Sequence, residues 1–199
     1  MRTTGAFFAS HGSSRWRQAG MTLLEAMVCT GIVVVLAGPL ISVVLVSSRS
    51  TAESASLNQI SERNRISLYR VAQETRTAIG STIVITNSGA TLAFSLSASY
   101  DGSSVVAGDS ILYNLGLATG ETSNSVDDNG NGLVDEGRLI RVNASTSETT
   151  TICENIDLSS SSFVWDSTTL TINLTTAGQI ITDNSTFSNT KSVSVVPRN

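Results

Sequence analysis

The sequence predicts an α+β protein, in which one long N-terminal helix spans a membrane over its first half and leads into a mainly antiparallel β-sheet domain. Three observations predict it. Residues 26–48 carry no charge between Glu25 and Arg49. Residues 49–80 repeat apolar side chains at helical spacing, and after Gly80 the period shortens to that of short strands separated by turn residues.

At 199 residues the chain has room for one domain with appendages. Charged residues make up 14%, Lys191 is the sole lysine and the net charge is −4. That balance suits an extracytoplasmic β-rich domain and argues against nucleic-acid contact, which needs clustered Lys and Arg. The only histidine, His11, lies near the start, so imidazole-based hydrolysis has no support in the remainder, and no nucleophile motif is present. A non-enzymatic role is expected. Cys29 sits in the apolar run and Cys153 in the polar half, so a disulfide between them would tie membrane to globule, and none is expected.

The first element, 1–20, is a basic leader with Arg2, Arg15 and Arg17 and no acid. A secretory signal places its apolar core before the cleavage site. Here the order is reversed, with Gly20 closing the basic stretch and the apolar run following. By the positive-inside rule the N-terminal side stays in the cytoplasm and residues after Arg49 lie outside.

Residues 21–48 form the transmembrane part of the helix, long enough at about 1.5 Å per residue to cross a bilayer core. Pro39 removes one backbone donor within it. Glu25 is a lone carboxylate at the edge of this segment, and an acid there is costly unless it has a partner. Residues 49–80 extend the helix amphipathically: Leu57, Ile60, Leu68, Val71 and Ile79 share a stripe with Asn64 and Thr75, and Gly80 is a stop signal.

Residues 81–199 form the extracytoplasmic β-rich domain. Its strand candidates are STIVITNSG, ATLAFSLSAS, DSILYNLG, RLIRVNAS, SSFVWDSTTLTINLTT and KSVSVVPRN. Asn87, Ser88 and Gly89 read as a hairpin turn, and Asp166 with Ser167 separates two later strands. Phe163 and Trp165 are two apart and share a strand face, which points to core packing.

The acidic loop 126–138 reads VDDNGNGLVDEGR. Asp127, Asn129, Asn131, Gly132 and Asp135 fall at positions 1, 3, 5, 6 and 9 of an EF-hand loop, and Leu133 at position 7 would lend its carbonyl. Arg138 stands where position 12 needs a bidentate glutamate, so Asp135 or Glu136 would close the shell. A structural Ca2+ is expected, because crowded acids repel unless a cation lies among them. The competing reading is a solvated Asn/Gly turn.

GMTLLEAMV, at 20–28, resembles the N-terminal signature of type IV prepilins and pseudopilins. The resemblance implies a pilin-like fold, cleavage after Gly20 by a prepilin peptidase/methyltransferase and methylation of Met21, where the family more often has Phe. It also implies that Glu25, the fifth mature residue, pairs with the N-terminus of a neighbouring subunit during assembly. A cleaved amine on Met21 can meet that carboxylate within one helix or between packed helices. The order of ILYNLG, the acidic loop, RLIRVN, ENIDLSSSSFVWDSTTLTINL and VVPRN is similar to that of PilW-like and J-type minor pseudopilins.

The implied protein is a structural minor subunit of a type IV pilus or type II secretion pseudopilus. It would be single-pass in the bacterial inner membrane, with other pilin or pseudopilin subunits and the inner-membrane assembly machinery as partners. The alternative is a single-pass membrane-anchored calcium-binding adhesion module that never assembles.

Overall fold

The structure, a computed structural model, describes residues 22–179 and 186–198. The expectations for the leader, Gly20 and Met21 lie outside the described residues. The chain divides into two compact units, Met1–Ser47 and Ser48–Asn199, and helix α1 (Leu23–Arg76) contributes to both.

In the first unit α1 continues through Pro39. Leu23, Leu24, Val35, Leu40, Ile41 and Val46 are all exposed, as is nearly every other side chain there. A helix apolar on all sides is stable only where something apolar surrounds it. Among the described residues this is the one helix long and apolar enough to cross a membrane.

In the second unit the later half of α1 buries Asn64, Ser67, Leu68, Val71, Ala72 and Thr75. This is the expected stripe, although Leu57 remains exposed and Ile60 half-buried. The helix also stops at Arg76, short of Gly80. The chain joins the sheet first: the Ser97 N–H donates to the Thr77 carbonyl at 3.0 Å and the Ile79 N–H to the Ser95 carbonyl at 2.9 Å. Sheet pairing thus takes the backbone groups that another helical turn would have used.

Among the described residues eight strands follow: β1 (Val84–Thr86), β2 (Thr91–Tyr100), β3 (Val105–Leu117), β4 (Gly137–Asn143), β5 (Glu148–Ile156), β6 (Ser162–Trp165), β7 (Leu170–Gln179) and β8 (Thr186–Val195). They make one sheet in the order β1-β2-β3-β4-β5-β7-β6, with β8 also on β7. Every pairing is antiparallel, so the α+β class holds. Strand β7 is the junction: β8 runs along it from Leu170↔Val195 to Gln179↔Thr186, β6 pairs with its first half, and Ile156 of β5 pairs with Thr176.

Both expected turns are present. Asn87–Gly89 links β1 to β2, and Asp166 opens the turn between β6 and β7, accepting the Thr169 N–H at 2.7 Å. Strand β5 is missing from the sequence-based candidates, although Thr149, Thr150, Thr151 and Ile152 are β-branched.

Alternate strand residues supply the core: Leu92 and Phe94 from β2, Ile111 and Tyr113 from β3, Leu139 from β4 and Ile172 from β7, all in one cluster with Leu68 and Val71 of α1. Each such burial contributes about 1.5–3 kcal/mol. Phe163 is buried and Trp165 packs against the same cluster, as their shared face predicts. Polar clamps fix the helix on the sheet. Asn64 Nδ2 donates to the carbonyls of Leu174 and Asn189, both at 3.0 Å, and Lys191 Nζ donates to Ser61 Oγ at 2.8 Å.

Candidate functional site

The acidic loop connects β3 to β4, and its first turn is built on Asp127. The Asp127 carboxylate accepts the N–H groups of Gly130 at 2.6 Å, Asn131 at 3.2 Å and Gly132 at 2.7 Å. Gly130 and Gly132 have φ of +76° and +85°, a region that glycine enters without strain. Asn129 Oδ1 accepts the Asn131 N–H at 3.0 Å, and Asn131 Oδ1 accepts the Leu133 N–H at 2.8 Å. Side chains at alternate positions therefore curl the chain around a common centre.

The two asparagine amides turn their NH2 groups onto one acceptor. Asn129 Nδ2 and Asn131 Nδ2 donate to Glu136 Oε1 at 2.7 and 2.6 Å. Glu136 is only 3% exposed, and its Oε2 is buried with no hydrogen bond. A second buried acid, Glu121, enters from outside the loop. It is 7% exposed, its Oε1 accepts the Asn129 N–H at 3.0 Å, and its Oε2 is likewise buried and unbonded.

The structure thus brings Asp127, Asn129, Asn131 and Glu136 together. It directs Asp135 elsewhere: that carboxylate accepts the N–H groups of Asn124 at 3.1 Å and Ser125 at 2.9 Å, bracing the turn before the loop. Leu133 is buried by its side chain. Asp128 also faces away, bonded by Thr122 and Asn124, and the Thr122 hydroxyl followed by the Asn124 amide holds its carboxyl below the ordinary aspartate value. Among the described residues no three carboxylate, imidazole or thiol groups are gathered closely enough to hold a metal by themselves. Any ion here would need amide oxygens as well.

Glu121 was not foreseen, because it precedes the loop motif. The available signal was an acid at the exit of the ILYNLG strand, a short distance before VDDNGNG.

Glu25 belongs to the first unit, at the start of α1. Its Oε2 accepts the Thr22 N–H at 2.9 Å and the Thr22 hydroxyl at 3.1 Å, while Thr22 Oγ1 accepts the Glu25 N–H at 3.2 Å. This is a capping box, which satisfies donors at the helix start. The carboxylate therefore faces the N-terminal end of the helix. In comparisons with known protein families, characterised proteins and solved structures, nothing matches this chain.

Proposed function

We propose that this chain is a structural, non-enzymatic minor subunit of a type IV pilus or type II secretion pseudopilus. In this reading a prepilin peptidase cuts after Gly20 and methylates Met21. The apolar half of α1 holds the subunit in the bacterial inner membrane and later packs among the helices of other subunits, while the sheet domain stays outside. The supporting observation is the aim of Glu25. Its carboxylate is turned onto the backbone N–H of Thr22, the residue that follows the proposed mature N-terminus in sequence, on a helix half that is otherwise apolar all round.

The capping box supports a second reading, because it gives Glu25 a use within its own chain. A membrane-anchored adhesion module that never assembles needs no more than that. Two variants separate the readings. Glu25→Gln keeps a capping-box residue but removes the charge, and Glu25→Leu removes both. A filament subunit loses co-purification with its filament partners in both variants while remaining membrane-inserted. Normal incorporation of Glu25→Gln would reduce the glutamate to a helix cap and end the assembly reading.

A further inference from the structure

Glu121 and Glu136 each hold a carboxylate more than nine-tenths buried, and each has one oxygen, Oε2, that receives no hydrogen bond. Their other oxygens converge on Asn129: its backbone N–H meets Glu121 Oε1 at 3.0 Å and its side-chain amide meets Glu136 Oε1 at 2.7 Å. Two buried anions flanking one residue are unfavourable unless positive charge reaches both. Arg138 does not supply it. Its Nη1 donates to Thr119 Oγ1 at 2.6 Å, its Nε is buried without a partner, and it makes no ion pair among the described residues. On Glu136 Oε1 the partial positive charge comes instead from the NH2 groups of Asn129 and Asn131.

An amide NH2 and an amide oxygen are nearly the same size, and half a turn about the terminal torsion exchanges them. With both amides so turned, their oxygens face the Glu136 carboxylate and a cation between them replaces the two donors, while the N–H groups of Asn131 and Leu133 give up the amide oxygens that accept them here. Asp127 fixes the turn that carries both asparagines, with its oxygens held by the N–H groups of Gly130, Asn131 and Gly132.

We infer that Glu121, Asn129, Asn131 and Glu136 form the site of one calcium ion, on a loop that the Asp127 carboxylate holds in its turn. Glu121 reaches in from before the loop to supply the second buried carboxylate, which Arg138 denies the loop at its twelfth position. The set is all oxygen, with two carboxylates and two amides on a loop that can adjust, which suits the long and variable bonds of Ca2+ better than the strict octahedron of Mg2+. Asp135 braces the neighbouring turn and is not a ligand. This site is independent of the filament reading, since an anchored module would use it equally.

The test is titration calorimetry of the full chain in detergent micelles with CaCl2 and, separately, MgCl2, together with thermal melting in calcium and in chelator. One Ca2+ per chain, a higher melting temperature in calcium and much weaker magnesium binding are expected. Glu121→Gln and Glu136→Gln should each weaken calcium binding at least about tenfold, whereas Glu148→Gln on β5 leaves it unchanged. In chelator, Glu121→Gln should melt at or above the unsubstituted temperature, because it removes an unpaired buried charge. A glutamate with a purely structural role would lower it. If Glu121→Gln fails to fold, Glu121→Asp keeps the charge but withdraws the carboxylate by one methylene and should weaken binding similarly. Absence of calcium binding by the unsubstituted chain, or unchanged affinity in the folded Glu121 variant, overturns the assignment.

Discussion

Glu74 on α1 and Arg141 on β4 form a largely buried ion pair, with Arg141 Nε 3.0 Å from Oε1 and 2.9 Å from Oε2, and the Tyr113 hydroxyl donates to the same carboxylate at 2.9 Å. One helical carboxylate therefore fastens two adjacent strands to the helix near its C-terminal end. Burial, followed by the Glu74 charge, pushes the Tyr113 hydroxyl pKa far up, so it remains a donor at any ordinary pH. Glu74→Gln should destabilise the sheet domain by roughly 1–3 kcal/mol, read as a lower melting temperature of the full chain in detergent. Adding Arg141→Met to that variant should recover part of the loss, because the stranded guanidinium is the larger penalty. Additive losses would contradict this.

Asn64 makes a second clamp, its amide bridging the carbonyl of Leu174 on β7 to that of Asn189 on β8. Asn64→Leu keeps the bulk but leaves both carbonyls without this donor. A loss of about 1–3 kcal/mol is expected, with melting temperature as the readout, despite the more apolar side chain. A gain in stability would mean that the stripe is simply hydrophobic at this position.

Gly89 closes the turn between β1 and β2 at φ +93°, and a Cβ built there would lie 3.0 Å from the Phe163 carbonyl oxygen. Gly89→Ala should therefore cost about 1–2 kcal/mol, combining backbone strain with the displacement of β6. Gly102, at φ +95° with no atom near its Cβ position, is the control: Gly102→Ala carries the strain alone and should cost less. Equal melting temperatures for the two variants would remove Phe163 from the explanation.

Asp101 sets an acid limit on the β2–β3 hairpin. The N–H groups of Ser104, at 2.8 Å, and Ser103, at 2.9 Å, hold its carboxyl down to about 2 from an ordinary 3.8. Because the folded value is the lower one, this contribution is complete above about pH 4 and is lost as pH falls towards 2. Melting curves of the unsubstituted chain should fall more steeply than those of Asp101→Asn across that window. Parallel curves would show that the turn does not sense the carboxylate.

The parts of the fold that follow a period were legible. Asn64, Leu68, Val71 and Thr75 recur at helical spacing and are buried together, and the strand alternation around Phe94, Tyr113 and Ile172 matches their shared core face. Strand β5 escaped because its threonines alternate too weakly in polarity to mark a buried face, although pairing with β4 orders them. The helix end was misplaced because Gly80 is a local signal, whereas the pairing of Thr77 and Ile79 with β2 is tertiary. In the loop, spacing indicated Asp127, Asn129 and Asn131. It did not distinguish Asp135 from Glu136, because the outcome turns on the backbone: Asp135 sits at φ +51° and aims at the 124–125 turn, leaving Glu136 to face the asparagines. Glu121 joins them only through the path of the chain after β3, which no local pattern encodes.

Prepilin processing is the central claim, and intact-mass spectrometry of the protein purified from its native membrane tests it most directly. A mass equal to residues 21–199 plus one methyl group is the expected result, placing a methylated amine four residues before Glu25. A mass that retains residues 1–20 without methylation would contradict it and leave α1 as a simple membrane anchor.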